Sequence, residues 1–256
     1  MLTRVKTAAE IAAMRESGRM LATVHAEIKK FVRPGCSGLD VSELCKRELK
    51  GMGATAPFLG YLGFPDVICI SVNDEVVHGI PNAIPFKEND LVSFDFGVTY
   101  QGMITDSAFS MLIGKKAMSN PNNKQVIALM QATEASLDAG IEVVRAGARI
   151  GDIGAAVQEV LDAGRYGIVR ELVGHGVGHQ VHEDPDIPNY GRGGTGMELK
   201  AGMTIAIEPM ATLGDRRVLL DADEWTVRTR DGSLAAHFEH TVLVTPAGAE
   251  VLTRLG

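Results

Sequence analysis

Four acidic residues sit where acids are least expected, inside or at the ends of apolar runs. Asp95 lies in Val92-Ser93-Phe94-Asp95-Phe96-Gly97 and Asp106 in Thr105-Asp106-Ser107-Ala108-Phe109. Glu208 ends Thr204-Ile205-Ala206-Ile207, and Glu239 leads into His240-Thr241-Val242-Leu243-Val244. Aspartate is a poor strand former and is rarely buried unpaired, so these placements require a counter-charge. If Tyr100 and Gln101 form a two-residue hairpin turn, Asp95 and Asp106 stand directly opposite each other on one sheet face, roughly 5 Å apart at Cβ. Two carboxylates so placed repel, and one must keep its proton unless a cation lies between them. The competing reading is a pair of aspartates facing solvent at a sheet edge; the flanking Phe94, Phe96 and Phe109 weigh against it. Together the four acids carry about four negative charges at neutral pH, which two divalent ions would balance.

The neutral donor comes from Gly174-His175-Gly176-Val177-Gly178-His179-Gln180-Val181-His182, whose glycines allow close backbone approach around His175. His179 can be a bystander in this loop. The glycines alternate and no helical pattern follows, so a dinucleotide fingerprint does not fit. Gly191-Arg192-Gly193-Gly194-Thr195-Gly196 lacks the Lys-Ser/Thr ending of a phosphate loop and reads as a mobile surface loop. One imidazole and four carboxylates make an oxygen-rich set that suits manganese, iron, cobalt or zinc in a catalytic pair, unlike a thiolate-rich structural zinc site. Such paired ions lie about 3.5–4 Å apart and generate a strong nucleophile from water at neutral pH.

The elements that must position these residues alternate helices with strands. Thr7 and Glu10 fit a capping box, followed by Ile11, Met14, Leu21, Val24 and Ile28 at helical spacing and stopped by Pro34-Gly35. Asp40 with Glu43 suggests the start of a second helix running to about residue 50. Residues 68–72, 91–99 and 103–113 read as strands, and 123–139 and 153–163 as helices. Val32-Arg33-x-Gly35 recurs as Val144-Arg145-x-Gly147, Asp40-Val41 as Asp152-Ile153, and Lys87…Asp95 as Lys200…Glu208, all at an offset of 112 or 113 residues. These matches suggest an α+β unit duplicated over roughly 8–115 and 120–250, within a single domain spanning 1–256, with a ligand crevice between the halves.

Composition bounds the rest. The 256 residues are 45% hydrophobic, enough for a sizeable core. No run approaches the roughly 18 apolar residues of a membrane span. The N-terminal stretch mixes Arg4, Lys6 and Glu10 with alanines and lacks the features of a signal peptide. Cys36, Cys45 and Cys69 have no metal-type spacing and cannot all pair, which fits free thiols in a reducing cytoplasm. A net charge of −7 without a Lys/Arg cluster argues against stable nucleic-acid binding.

Taken in order, Cys69-Ile70-Ser71-Val72-Asn73, His78-Gly79-Ile80-Pro81, Asp95-Phe96-Gly97, Thr105-Asp106-Ser107-Ala108, Gly174-His175-Gly176-Val177-Gly178, Glu208-Pro209-Met210 and Glu239-His240-Thr241 resemble the type I methionine aminopeptidases over nearly the whole chain. The resemblance implies the α+β pita-bread fold, two halves related by a pseudo-twofold axis around a curved antiparallel sheet. It implies two divalent ions, cobalt, manganese, iron or zinc, held by Asp95, Asp106, His175, Glu208 and Glu239. Asp95 would chelate one ion, Asp106 and Glu239 would bridge both, and His175 and Glu208 would complete the other shell. Glu208 would handle the proton of the attacking water, His182 would stabilise the oxyanion, and His78 would contact the next amide. Tyr61, Phe64, Cys69 and Trp225 would form the methionine pocket. The implied substrate is the N-terminal methionine of nascent chains, met in the cytoplasm by a monomer in transient contact with the ribosome. Departures from the family pattern are Phe58, where a cysteine is frequent, Val181, where a phenylalanine is frequent, and the local sequence Asn73-Asp74-Glu75-Val76-Val77-His78. The prolidases and aminopeptidases P, which share this fold and a similar ligand set, are the nearest rival reading; a non-catalytic binding relative, which would have lost ligands, is the rival from another class.

Overall fold

The computed structural model describes residues 5–255; Met1 to Arg4, part of the stretch read above as lacking a signal peptide, and Gly256 lie outside the described residues. Helix α1 (Ala8–Phe31) starts at the Thr7–Glu10 capping box, where the Thr7 N–H donates to Glu10 Oε2 at 2.7 Å. Helix α2 (Gly38–Met52) starts earlier than its Asp40–Glu43 signal suggests: the box is Ser37–Asp40, with the Ser37 N–H donating to Asp40 Oδ2 at 2.8 Å. The turn at Pro34-Gly35 delivers Ser37 in an extended conformation, so the first competent cap takes the helix start. Helices α3 (Lys124–Glu142) and α4 (Ile150–Ala163) occupy the second half.

The strands of the first half are β1 (Ile68–Val72), β2 (Glu75–Val77), β3 (Leu91–Tyr100) and β4 (Met103–Leu112). Those of the second are β5 (Gly167–Ile168), β6 (Gly174–Gly176), β7 (Glu183–Ile187), β8 (Thr204–Ile207), β9 (Met210–Thr212), β10 (Val218–Leu220), β11 (Val227–Thr229), β12 (Ala235–His237), β13 (His240–Val244) and β14 (Ala249–Val251). They form antiparallel sheets ordered β1-β3-β4, β14-β13-β8-β6-β7, β12-β9-β5 and β10-β11-β2. The β3–β4 register corrects the hairpin expectation. Tyr100 pairs with Met103, so the loop is Gln101-Gly102, and Asp95 faces Ala108 while Asp106 faces Gly97. Both loop residues have positive φ, 49° and 77°, the geometry that turns a two-residue hairpin with the strand twist and that a glycine adopts freely. Asp95 and Asp106 are therefore diagonal neighbours on one face rather than direct partners.

The two larger sheets are stitched along β4 and the segment entering β13. The Glu239 N–H donates to Ala108 O at 2.9 Å, and the Ser107 hydroxyl to Glu239 O at 2.6 Å. The Asp106 N–H donates to Thr241 Oγ1 at 2.8 Å. Helix α1 packs on β3 and β4, and α3 on β8, β9 and β12, so the apolar core lies between helices and sheets. The helix-to-sheet junctions repeat bond for bond. Gly35 N–H donates to Phe86 O and Gly147 N–H to Leu199 O, each at 2.9 Å; Phe86 N–H donates to Cys36 O and Leu199 N–H to Ala148 O, each at 2.7 Å.

At Gly174 a Cβ would collide with the backbone carbonyl of Ala206 on β8 and press on Ile187. Gly174→Ala is expected to push β6 away from β8 and to cost about 1–3 kcal/mol, read as a lowered urea midpoint. An unchanged midpoint would show that β6 tolerates the shift.

Candidate metal centre

All five proposed ligands line one cleft. Asp95 comes from the middle of β3, Asp106 from β4, His175 from β6, Glu208 from the end of β8 and Glu239 from the entry to β13. Donor atoms of Asp106, His175 and Glu239 lie within 4.8 Å of one another, and all three residues are buried. His175 Nε2 is 3.4 Å from Glu208 Oε1. His175 Nδ1 lies 2.9 Å from Gly176 O; donation there fixes the tautomer and leaves Nε2 unprotonated toward the acids.

The electrostatics of this cluster are unbalanced. Asp95 Oδ1, Asp106 Oδ1 and Glu239 Oε1 are buried without a hydrogen-bond partner, and among the described residues no lysine or arginine pairs with any of the four acids. Burial, then repulsion from Asp106 and Glu208, drives the Asp95 carboxyl well above its ordinary range. Burial does the same to Glu208 and Glu239, reinforced by Asp106. Asp106 is raised by burial to about 7. Burial lowers His175 to about 3, helped by His182, so the ring is neutral and able to ligate. Unpartnered carboxylate oxygens converging with a neutral imidazole nitrogen are what a divalent cation requires.

Around the acids, His78 and His182 face the same cleft. His78 holds a positive φ of 59°, and burial, then His182, brings its ring to about 4. His182 Nδ1 lies 2.9 Å from Tyr61 Oη, and its ring stands edge-on to His175 with centroids 4.2 Å apart. Tyr61, Phe64, Cys69 and Trp225 form an apolar wall, with Phe64 and Trp225 T-shaped at 5.2 Å. Phe58 and Val181 line this wall too, whereas Val77 packs in a separate cluster behind it.

The residue that sequence reading missed is His237. It is buried, both ring nitrogens lack partners, and Nε2 lies 3.6 Å from Glu208 Oε2. Its signal was its position two residues before Glu239, the spacing that puts side chains on one face of an extended chain.

Comparison with known proteins gives the family. The profile of metallopeptidase family M24 matches residues 12–246. The chain is 43% identical to methionine aminopeptidase 1 of Bacillus subtilis over 250 residues, covering 98% of each protein. It is 42% identical to methionine aminopeptidase 1 of Mycobacterium tuberculosis, covering 97% of this chain and 94% of that one. The crystal structure of methionine aminopeptidase from Thermotoga maritima superposes with a TM-score of 0.94 at 42% identity, covering 99% of this chain and 100% of that one. Prolidase from Pyrococcus furiosus, at 22% identity and a TM-score of 0.78, covers 98% of this chain and 66% of that one and shares the fold.

A carboxyl raised to about 7 is protonated below that pH and must lose its proton to ligate. Titration of Mn²⁺ into chelator-treated protein is therefore expected to release protons, more at about pH 6 than at about pH 8. Calorimetry in buffers of different ionisation heat measures this, and binding without proton release at the lower pH would contradict it.

Proposed function

The chain belongs to metallopeptidase family M24 and groups with the bacterial methionine aminopeptidases, and we propose that it removes the N-terminal methionine from newly made proteins whose second residue is small. One observation carries this reading: a cluster of carboxylates, with unpartnered buried oxygens on Asp95, Asp106 and Glu239, shares a single cleft with an apolar wall of Phe58, Tyr61, Phe64, Cys69 and Trp225. A flexible thioether suits such an aromatic and sulfur-lined wall. Asp95, Asp106, His175, Glu208 and Glu239 would hold two divalent ions. Bound there, the ions supply a water of lowered pKa and polarise the substrate carbonyl.

The side chains divide the remaining work. The Glu208 carboxylate accepts the proton of the attacking water and passes it to the leaving amine. Donation by the Tyr61 hydroxyl to His182 Nδ1 would leave the proton on His182 Nε2, free to donate to the developing oxyanion. His78 contacts the amide that follows, and crowding around it favours a small second residue. The acidic cluster beside the wall suits a free amino terminus. In the cell the substrate would be met in the cytoplasm as chains emerge from the ribosome, by a single catalytic domain acting as a monomer. Among the described residues, no helix is long and apolar enough to cross a membrane.

Met-Ala-Ser is expected to release free methionine with added Mn²⁺ or Co²⁺, to be inert after chelation, and to be preferred over Met-Leu-Ser. Cleavage of Xaa-Pro peptides but not Met-Ala-Ser would instead identify a prolidase. Glu208→Gln is expected to lower kcat by roughly 10²–10⁴-fold, and His182→Ala by roughly 10²–10³-fold. Wild-type turnover in Glu208→Gln would remove that residue from the proton path.

A further inference from the structure

Glu183 directly follows His182, and its carboxylate is the hub of the turn that carries that histidine. Oε1 accepts the backbone N–H of His179 at 2.6 Å and of Gln180 at 3.1 Å. Oε2 accepts from Lys6 Nζ at 2.6 Å, and neither side chain reaches solvent, with exposures of 0% for Lys6 and 5% for Glu183. Lys6 comes from the chain ahead of α1, whose backbone N–H is pinned to Gly202 O at 2.8 Å. Its aliphatic stem lies against Gly178, where a φ of +148° and the missing Cβ give it room. Gly178 O in turn accepts from Ile104 N–H at 2.7 Å, two residues before Asp106. A second tie runs from His179 Nε2 to Glu10 Oε1 at 2.7 Å, on the residue that caps α1. The N-terminal arm thus grips the turn 178–183 at both ends.

We propose that Lys6 is a positioning residue for catalysis: by neutralising Glu183 it fixes the turn and so holds His182 at the substrate carbonyl. This rests on the reading of His182 as the oxyanion donor. Among the described residues Lys6 is the one lysine or arginine paired with Glu183, and the other basic group beside it is the His179 ring, Nδ1 at 3.5 Å. A carboxylate that organises a turn through two N–H bonds in a dry site cannot keep that place once the Lys6 ammonium is gone. The turn then reopens toward water and carries His182 with it.

The test is a charge-neutral pair. Lys6→Met alone is expected to lower kcat on Met-Ala-Ser by about 10- to 100-fold, with KM within about threefold and unchanged Mn²⁺ affinity. In Lys6→Met/Glu183→Gln the glutamine carbonyl still accepts from both N–H groups and buries no charge, so kcat returns to within about threefold of wild type. Independently of turnover, the His182 ring ¹⁵N resonances of the metal-free protein, assigned with His182→Gln, are expected to shift in Lys6→Met and return in the double variant. Wild-type kcat and resonances in Lys6→Met, or a folded double variant as slow as the single, would overturn the proposal. Lys6→Gln carries the same expectations if Lys6→Met does not fold. If the wild-type protein fails to cleave Met-Ala-Ser, the functional reading falls while the resonances still decide whether Lys6 positions His182.

Discussion

Four carboxylates gathered out of water are the constraint around which this molecule is built. Desolvation raises all four above their ordinary range, with repulsion added at Asp95, Glu208 and Glu239, so the protein alone cannot keep them ionised together. The fold nevertheless holds them in place by backbone means. Asp106 and Glu239 lie on the seam between the two larger sheets, where hydrogen bonds from Ser107, Thr241 and the Ala108–Glu239 pair leave their backbones no freedom to retreat. Asp95 and Glu208 each end a run that begins at a lysine, Lys87 or Lys200. The repulsion is thus confined to side chains that a cation can reconcile.

Much of this was legible in the sequence because burial of an acid leaves a local mark. Phe94 and Phe96 around Asp95, and Ile205 and Ile207 before Glu208, announce strands that have no business carrying a charge unless something binds it. The convergence of the five candidate ligands in one cleft could also be anticipated, since matching motifs in order imply a shared geometry. Errors arose where two local solutions compete. Tyr100-Gln101 and Gln101-Gly102 are both candidate hairpin turns, and the register follows whichever pair accepts positive φ at both positions; glycine settles it for the second. At α2, Ser37 outcompetes Asp40 because the preceding turn presents it first.

Contacts made only through tertiary structure left no mark. The spacing of His237 from Glu239 marks only the face it shares, and the neighbour its ring meets there, Glu208, comes from a distant strand end. Lys6 reads as one more charge in a polar N-terminus, yet it lies buried against Glu183 across most of the chain length. Phe58 and Val181 were recognisable as departures, but only the folded cleft places them on one wall.

The division between recognition and chemistry follows from strand register. Cys69 of β1 pairs with Asp95 of β3, so a side chain lining the apolar wall and a carboxylate of the metal centre come from directly opposed residues. Opposed residues in an antiparallel pair stand about 5 Å apart, and neither strand can slide without turning its whole apolar face outward. At Cys69 the spacing between the wall and the acids is therefore fixed by the sheet, whereas Phe58, Phe64 and Trp225 join the wall from loops. The same backbone pairing that places Asp95 in the acidic cluster thus places the Cys69 side chain beside it.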